Sequence, residues 1–83
     1  MIRVKTGALV RKRILALCEE YHITVNKLCT ICGITQSTLN NIINEKSQNP
    51  TVSTIKKICD GLDITLCEFF DTEEFNQSEQ EIN

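Results

Sequence analysis

Apolar residues recur every three or four positions along most of the chain, an interval that predicts helices rather than strands. Val10, Ile14, Leu17, Cys18 and Tyr21 share one face of a first helix over about residues 7–21, with Thr6 as its N-cap. Leu28, Cys29 and Cys32 form the inward face of a second helix, which starts after Thr24 and ends at Gly33, where a left-handed residue is needed. A third helix starts after Thr35, with Leu39, Ile42 and Ile43 inward and Gln36, Ser37, Asn40 and Asn41 outward. NEKSQNP then reads as a loop closed by Pro50. A fourth helix begins near Thr51, with Val52, Ile55, Ile58, Cys59 and Leu62 inward and Gly61 weakening its last turn. Thr65 and Glu68 make a capping box for a short fifth helix carrying Leu66, Phe69 and Phe70. The remainder, DTEEFNQSEQEIN, is polar and acidic and reads as a frayed or disordered tail. The expectation is an all-α domain over residues 1–70 and a flexible acidic tail over residues 71–83, with no internal repeat.

The two short helices joined at Gly33 have the layout of a helix-turn-helix, whose second helix lies in the DNA major groove with its first residues against base edges. Such a helix needs donors and acceptors on short or flexible arms. Gln36 can make two hydrogen bonds to adenine, at N6 and N7, worth about 1–3 kcal/mol of discrimination. Ser37 can serve several bases, and its shortness lets the backbone approach closely. Asn41 and Asn40 come next along the groove. The plainer account is that these are solvated surface residues, but surface helices usually carry Glu and Lys, and this face has no charge. Gln36, Ser37, Asn40 and Asn41 are therefore the candidate base contacts. Candidate phosphate contacts are Thr24, Lys27, Thr35, Thr38, Asn44 and Lys46, with Ser47 and Gln48 beside them. Arg11 and Arg13 either reach the DNA backbone or form a solvated basic face of the first helix.

A net charge of −2 argues against a nucleic-acid partner until it is resolved by position. All nine basic residues precede Asp60, where only Glu19, Glu20 and Glu45 oppose them, so residues 1–59 carry +6. Residues 60–83 hold eight acids and no base, hence −8. This asymmetry fits a nucleic-acid-facing body with an acidic tail. It fits equally well an unremarkable surface with a solubilising end.

From Ile14 to Phe70 the ordered pattern resembles the Cro and lambda-repressor (Xre-like) helix-turn-helix family. Cys29 stands where the family has a small residue in the middle of helix 2, Gly33 at its turn, and Leu39 and Ile42 where branched apolar residues lock helix 3 down. NPT, the apolar stripe of helix 4 and ITLCEFF match its closing segment. The resemblance implies a compact five-helix lambda-repressor-like DNA-binding domain and a repressor-like transcriptional regulator. It further implies a homodimer on a palindromic double-stranded operator, its half-sites roughly one helical turn apart. Ile64, Phe69, Phe70 and Phe75 can supply a dimer surface, although at least one of Phe69 and Phe70 is expected to close the monomer core. Two departures stand out. Family members often pair an arginine late in helix 1 with a glutamate ending helix 3; here the matching residues are Cys18 and Ile43, a joint apolar replacement that is physically coherent. Members often have a glutamine just after the helix 2 cap, which reaches phosphate and orients a base-reading residue; here it is Val25.

Two other readings stay open. Cys29-x-x-Cys32 suggests a thiol- or metal-responsive regulator, but zinc usually takes two such pairs or one pair with two histidines. This chain has one pair and a single histidine, His22, expected at the surface. The five cysteines each fit an apolar stripe, so reduced core thiols are expected, with no metal and no cofactor. The second alternative is a protein-interaction module, such as an antitoxin or regulatory partner, that uses the fold without DNA. No nucleophile–base set or paired-carboxylate site suggests an enzyme. No apolar run approaches the roughly 20 residues that span a bilayer, and no signal-peptide pattern opens the chain, so a bacterial or phage-type cytoplasmic setting is expected.

Overall fold

The computed structural model describes residues 6–44 and 50–77. Among them are six helices and no strand: α1 (Thr6–Glu20), α2 (Val25–Cys32), α3 (Gln36–Ile43), α4 (Val52–Leu62), α5 (Leu66–Phe70) and α6 (Glu73–Asn76). The first five are the helices that the apolar spacing predicts. The predicted loop NEKSQNP falls mostly on residues 45–49, outside the described residues.

Local chemistry sets the helix boundaries. Thr24, Thr35, Thr51, Thr65 and Thr72 each sit in extended backbone just before a helix, and each hydroxyl accepts an amide N–H of the first turn. Thr65 and Glu68 form the full reciprocal capping box. Gly33 closes α2 at φ 66°, where a side chain would be strained. Asp63 closes α4 in the same left-handed region, at φ 57°. A short polar side chain tolerates that conformation better than most, although no glycine marks the position. Thr6 is already helical, so it is not the cap proposed for the first helix.

One continuous core joins α1 to α5. Ile14, Leu28, Leu39, Ile58, Cys59 and Phe69 are sealed from solvent, with Val10, Leu17, Cys18, Cys29, Cys32, Ile34, Ile42, Ile55 and Leu62 around them. Cys18 is buried and Ile43 packs against the same cluster. Helix α4 packs directly against α2. A Cβ at Gly61 would lie 2.5 Å from Cys32 Sγ and 3.1 Å from Cys32 Cα. Gly61 is thus the point where α4 comes against α2, a role that outweighs its cost to helix propensity.

Two inward assignments need correction. Val52 lies on the predicted stripe but is 71% exposed, because it opens α4 and no described element covers that first turn. Tyr21 falls beyond α1 and is 41% exposed; its hydroxyl reaches the Leu62 carbonyl at the rim of the core.

The start of the acidic segment is ordered by contacts that its composition does not announce. Thr72 caps α6, and Phe75 docks on the end of α5, its ring 5.0 Å from that of Phe70 in an edge-on arrangement. Phe70 meets Phe69 in the same way at 4.9 Å. Phe69 is completely buried, so it closes the monomer core.

Candidate nucleic-acid interface

The α2–Gly33–α3 unit is positioned from inside. Leu28, Cys29 and Cys32 anchor α2, and Ile34, Leu39 and Ile42 anchor the turn and α3. Burying residues 39 and 42 of an eight-residue helix turns its opposite face outward. Gln36, Ser37, Thr38, Asn40 and Asn41 are all exposed. The four residues singled out as base contacts therefore share one solvent-facing, uncharged surface.

The phosphate candidates divide. Thr24 and Lys27 lie at the start of α2, Thr35 and Thr38 at the start of α3, and Asn44 just after α3; all are exposed. Lys46, Ser47 and Gln48 lie outside the described residues. Thr24 Oγ1 accepts the Lys27 amide at 3.1 Å, which uses a lone pair and leaves the hydroxyl proton able to donate. Thr35 and Thr38 share a hydroxyl hydrogen bond of 2.8 Å, so one of the two keeps a proton to donate outward. The first turns of α2, α3 and α4 contain no acid, whereas α5 has Glu68 and α6 has Glu73 and Glu74. The positive ends of the three middle helix dipoles are thus left unneutralised by their own first turns.

Part of the basic surface of α1 is engaged within the fold. Arg13 donates from Nε to the Phe69 carbonyl at 2.8 Å and from Nη2 to the Glu68 carbonyl at 2.9 Å, satisfying the end of α5. Lys12 pairs with Glu74 at 2.8 Å. Arg13 is thereby a tie between α1 and α5 rather than an arm extended into solvent.

Residue reasoning missed Asn26. Its Oδ1 accepts a hydrogen bond from Gln36 Nε2 at 2.9 Å, linking the exposed faces of α2 and α3. The available signal was an amide beside Val25, in the first turn of the helix that α3 packs against.

Cys18, Cys29, Cys32 and Cys59 are buried, and Cys67 is exposed. Burial pushes the Cys18, Cys29 and Cys59 thiols up, and burial together with the neighbouring cysteines lifts Cys32 to about 11. The shift favours the protonated thiol, the form that does not attack disulfides. No cluster of three or more metal-ligating side chains occurs among the described residues.

A short helix, a left-handed glycine turn and a second helix with an open polar face define a helix-turn-helix domain. The sequence model of the Cro/C1-type HTH DNA-binding domain matches residues 13–74, and the chain belongs to that family. The fold is also that of the prophage Lp1 protein 11 crystal structure, with a TM-score of 0.79 and 33% sequence identity over 88% of this chain and 96% of that one. A search of curated proteins finds no match. The class is one of DNA-binding transcription regulators. No described helix is long and apolar enough to cross a membrane.

Proposed function

We propose that this chain is a sequence-specific, repressor-like regulator that reads double-stranded DNA through the major groove with α3. The observation that carries the reading is the outer surface of α3: Gln36, Ser37, Asn40 and Asn41 are exposed and uncharged on a helix held rigidly by Leu39 and Ile42. Gln36 and Ser37 lie in the first turn, which approaches bases most closely. Thr24, Lys27, Thr35, Thr38 and Asn44 surround that surface with hydroxyl, amide and ammonium donors for phosphates, and Lys46, outside the described residues, is a further phosphate candidate on sequence alone. One such helix reads only a few base pairs, so the operator is palindromic and the protein acts as a homodimer. The likeness to a prophage protein supports a bacterial or phage-type cytoplasmic setting. The burial of Cys29 and Cys32 favours this reading over a thiol sensor.

The test is selection from a random duplex library, repeated with Gln36→Ala and Ser37→Ala. The wild type should recover a two-fold symmetric sequence, and each variant should lose preference at one position per half-site while keeping its fold. Recovery of no preferred duplex by the wild type would overturn the reading in favour of a protein-interaction module.

A further inference from the structure

We infer that the base pairs met by the amides of α3 are A·T pairs, so that the operator half-site is A·T-rich where α3 lies. The inference rests on the proposed reading of DNA by α3 and adds the base composition of what is read. No residue between Lys27 and Glu45 is charged, so α3, its turn and its caps carry neither cation nor anion. The nearest described cation along the chain, Lys27, stands in the first turn of α2 among the proposed phosphate contacts. The exposed side chains of α3 are three amides, Gln36, Asn40 and Asn41, and two hydroxyls, Ser37 and Thr38. Ser37, Asn40 and Asn41 make no side-chain hydrogen bond among the described residues. Gln36 gives one Nε2 proton to Asn26 and keeps the other, with its carbonyl, for a base.

Each base pair asks for a different partner in the major groove. Guanine shows two acceptors, O6 and N7, which the donors of arginine or lysine match; cytosine shows an N4 donor, which a carboxylate matches. The exposed face of α3 has none of these groups. Adenine shows the acceptor N7 beside the donor N6, and an amide carries one donor and one acceptor to meet both. The match needs no amide fixed beforehand, because a side chain free to turn finds both bonds on adenine alone. On guanine its NH2 donates and its carbonyl goes unpaired; on cytosine its carbonyl accepts and its NH2 goes unpaired. A polar group desolvated without a partner is a cost, and it falls on G·C. Hydroxyls serve either kind of pair and leave the bias to the amides.

The experiment is selection from a random duplex library with the wild type, with Gln36→Ala, Asn40→Ala and Asn41→Ala, and with arginine at each of the same positions in turn. All three residues are exposed, so the substitutions leave the core untouched, and thermal unfolding checks that each variant folds. Every position whose preference an alanine variant abolishes should be A·T in the wild-type site. Placing G·C there should weaken wild-type binding by about tenfold. At least one of Gln36→Arg, Asn40→Arg and Asn41→Arg should change its position from adenine to guanine, because the arginine fork supplies two donors. G·C at any position that responds to alanine, or adenine kept by all three arginine variants, would overturn the inference while the reading of DNA by α3 stands. A wild type that selects no duplex, or whose preferences survive all three alanine variants, would overturn that reading and this inference with it.

Discussion

The helices α2, α3 and α4 and the helices α5 and α6 start alike, each on a threonine whose hydroxyl caps the first turn, and diverge in the residues that follow. In the first group no acid enters the opening turn. In the second, Glu68, Glu73 and Glu74 do, and the end is drawn into the fold by Arg13, Lys12 and a cluster of three phenylalanines, Phe70 meeting both others edge-on. A cap satisfies amide groups in either case, but only an acid also cancels the dipole. The first turns of the middle helices thus leave their positive ends unneutralised, and those of the last two carry their own counter-charge. The contrast separates groups that hold the domain together from groups left for something else to meet.

The strongest way to break the comparison is from the closing end. Phe69→Ala empties a fully buried site shared by α5 and the core and should cost about 3–5 kcal/mol in chemical denaturation. If Phe69 merely covered a dimer surface, the monomer would lose little stability. A smaller effect is expected where α4 meets α2. Gly61→Ala pushes a methyl against Cys32 and should destabilise by about 1–3 kcal/mol despite the better helix propensity of alanine. Adding Cys32→Ala should recover part of that loss, which a double-mutant cycle reads directly. The mildest change is the sharpest. Thr24→Asp keeps a capping oxygen and adds a charge to the start of α2, so thermal stability should hold or rise by about 0.3–1 kcal/mol. If Thr24 is the phosphate contact proposed above, affinity for the selected duplex should nevertheless fall, because the new carboxylate would repel the DNA backbone. A variant that is more stable and binds as well would show that the acid-free helix starts serve no anion.

Most of this architecture is legible in the chain because it is decided locally. Threonine caps, a glycine turn and a 3.6-residue apolar rhythm each act within a few residues, and they place α2, α3 and α5 almost to the residue. What stays hidden depends on distant partners. Nothing near Val52 says that its face of α4 is uncovered, and nothing in Asp-Thr-Glu-Glu-Phe says that Phe75 will find Phe70. Gly61 looks like a weak spot until Cys32 is seen against it. The candidate site divides in the same way. Exposure of Gln36, Ser37, Asn40 and Asn41 follows from the burial of Leu39 and Ile42, which spacing reveals. The tie between Gln36 and Asn26 depends on how two helices cross, which spacing does not.

The unequal exposure of the five cysteines has a practical side. Cys67 alone stands in solvent, and the other four are enclosed and hold their protons. A maleimide dye should attach at that one place without engineering, giving a fluorescent reporter of oligonucleotide titration. An exposed thiol can also bridge two copies in air, so any dimer seen on a sizing column must survive reductant before it counts toward the proposed homodimer.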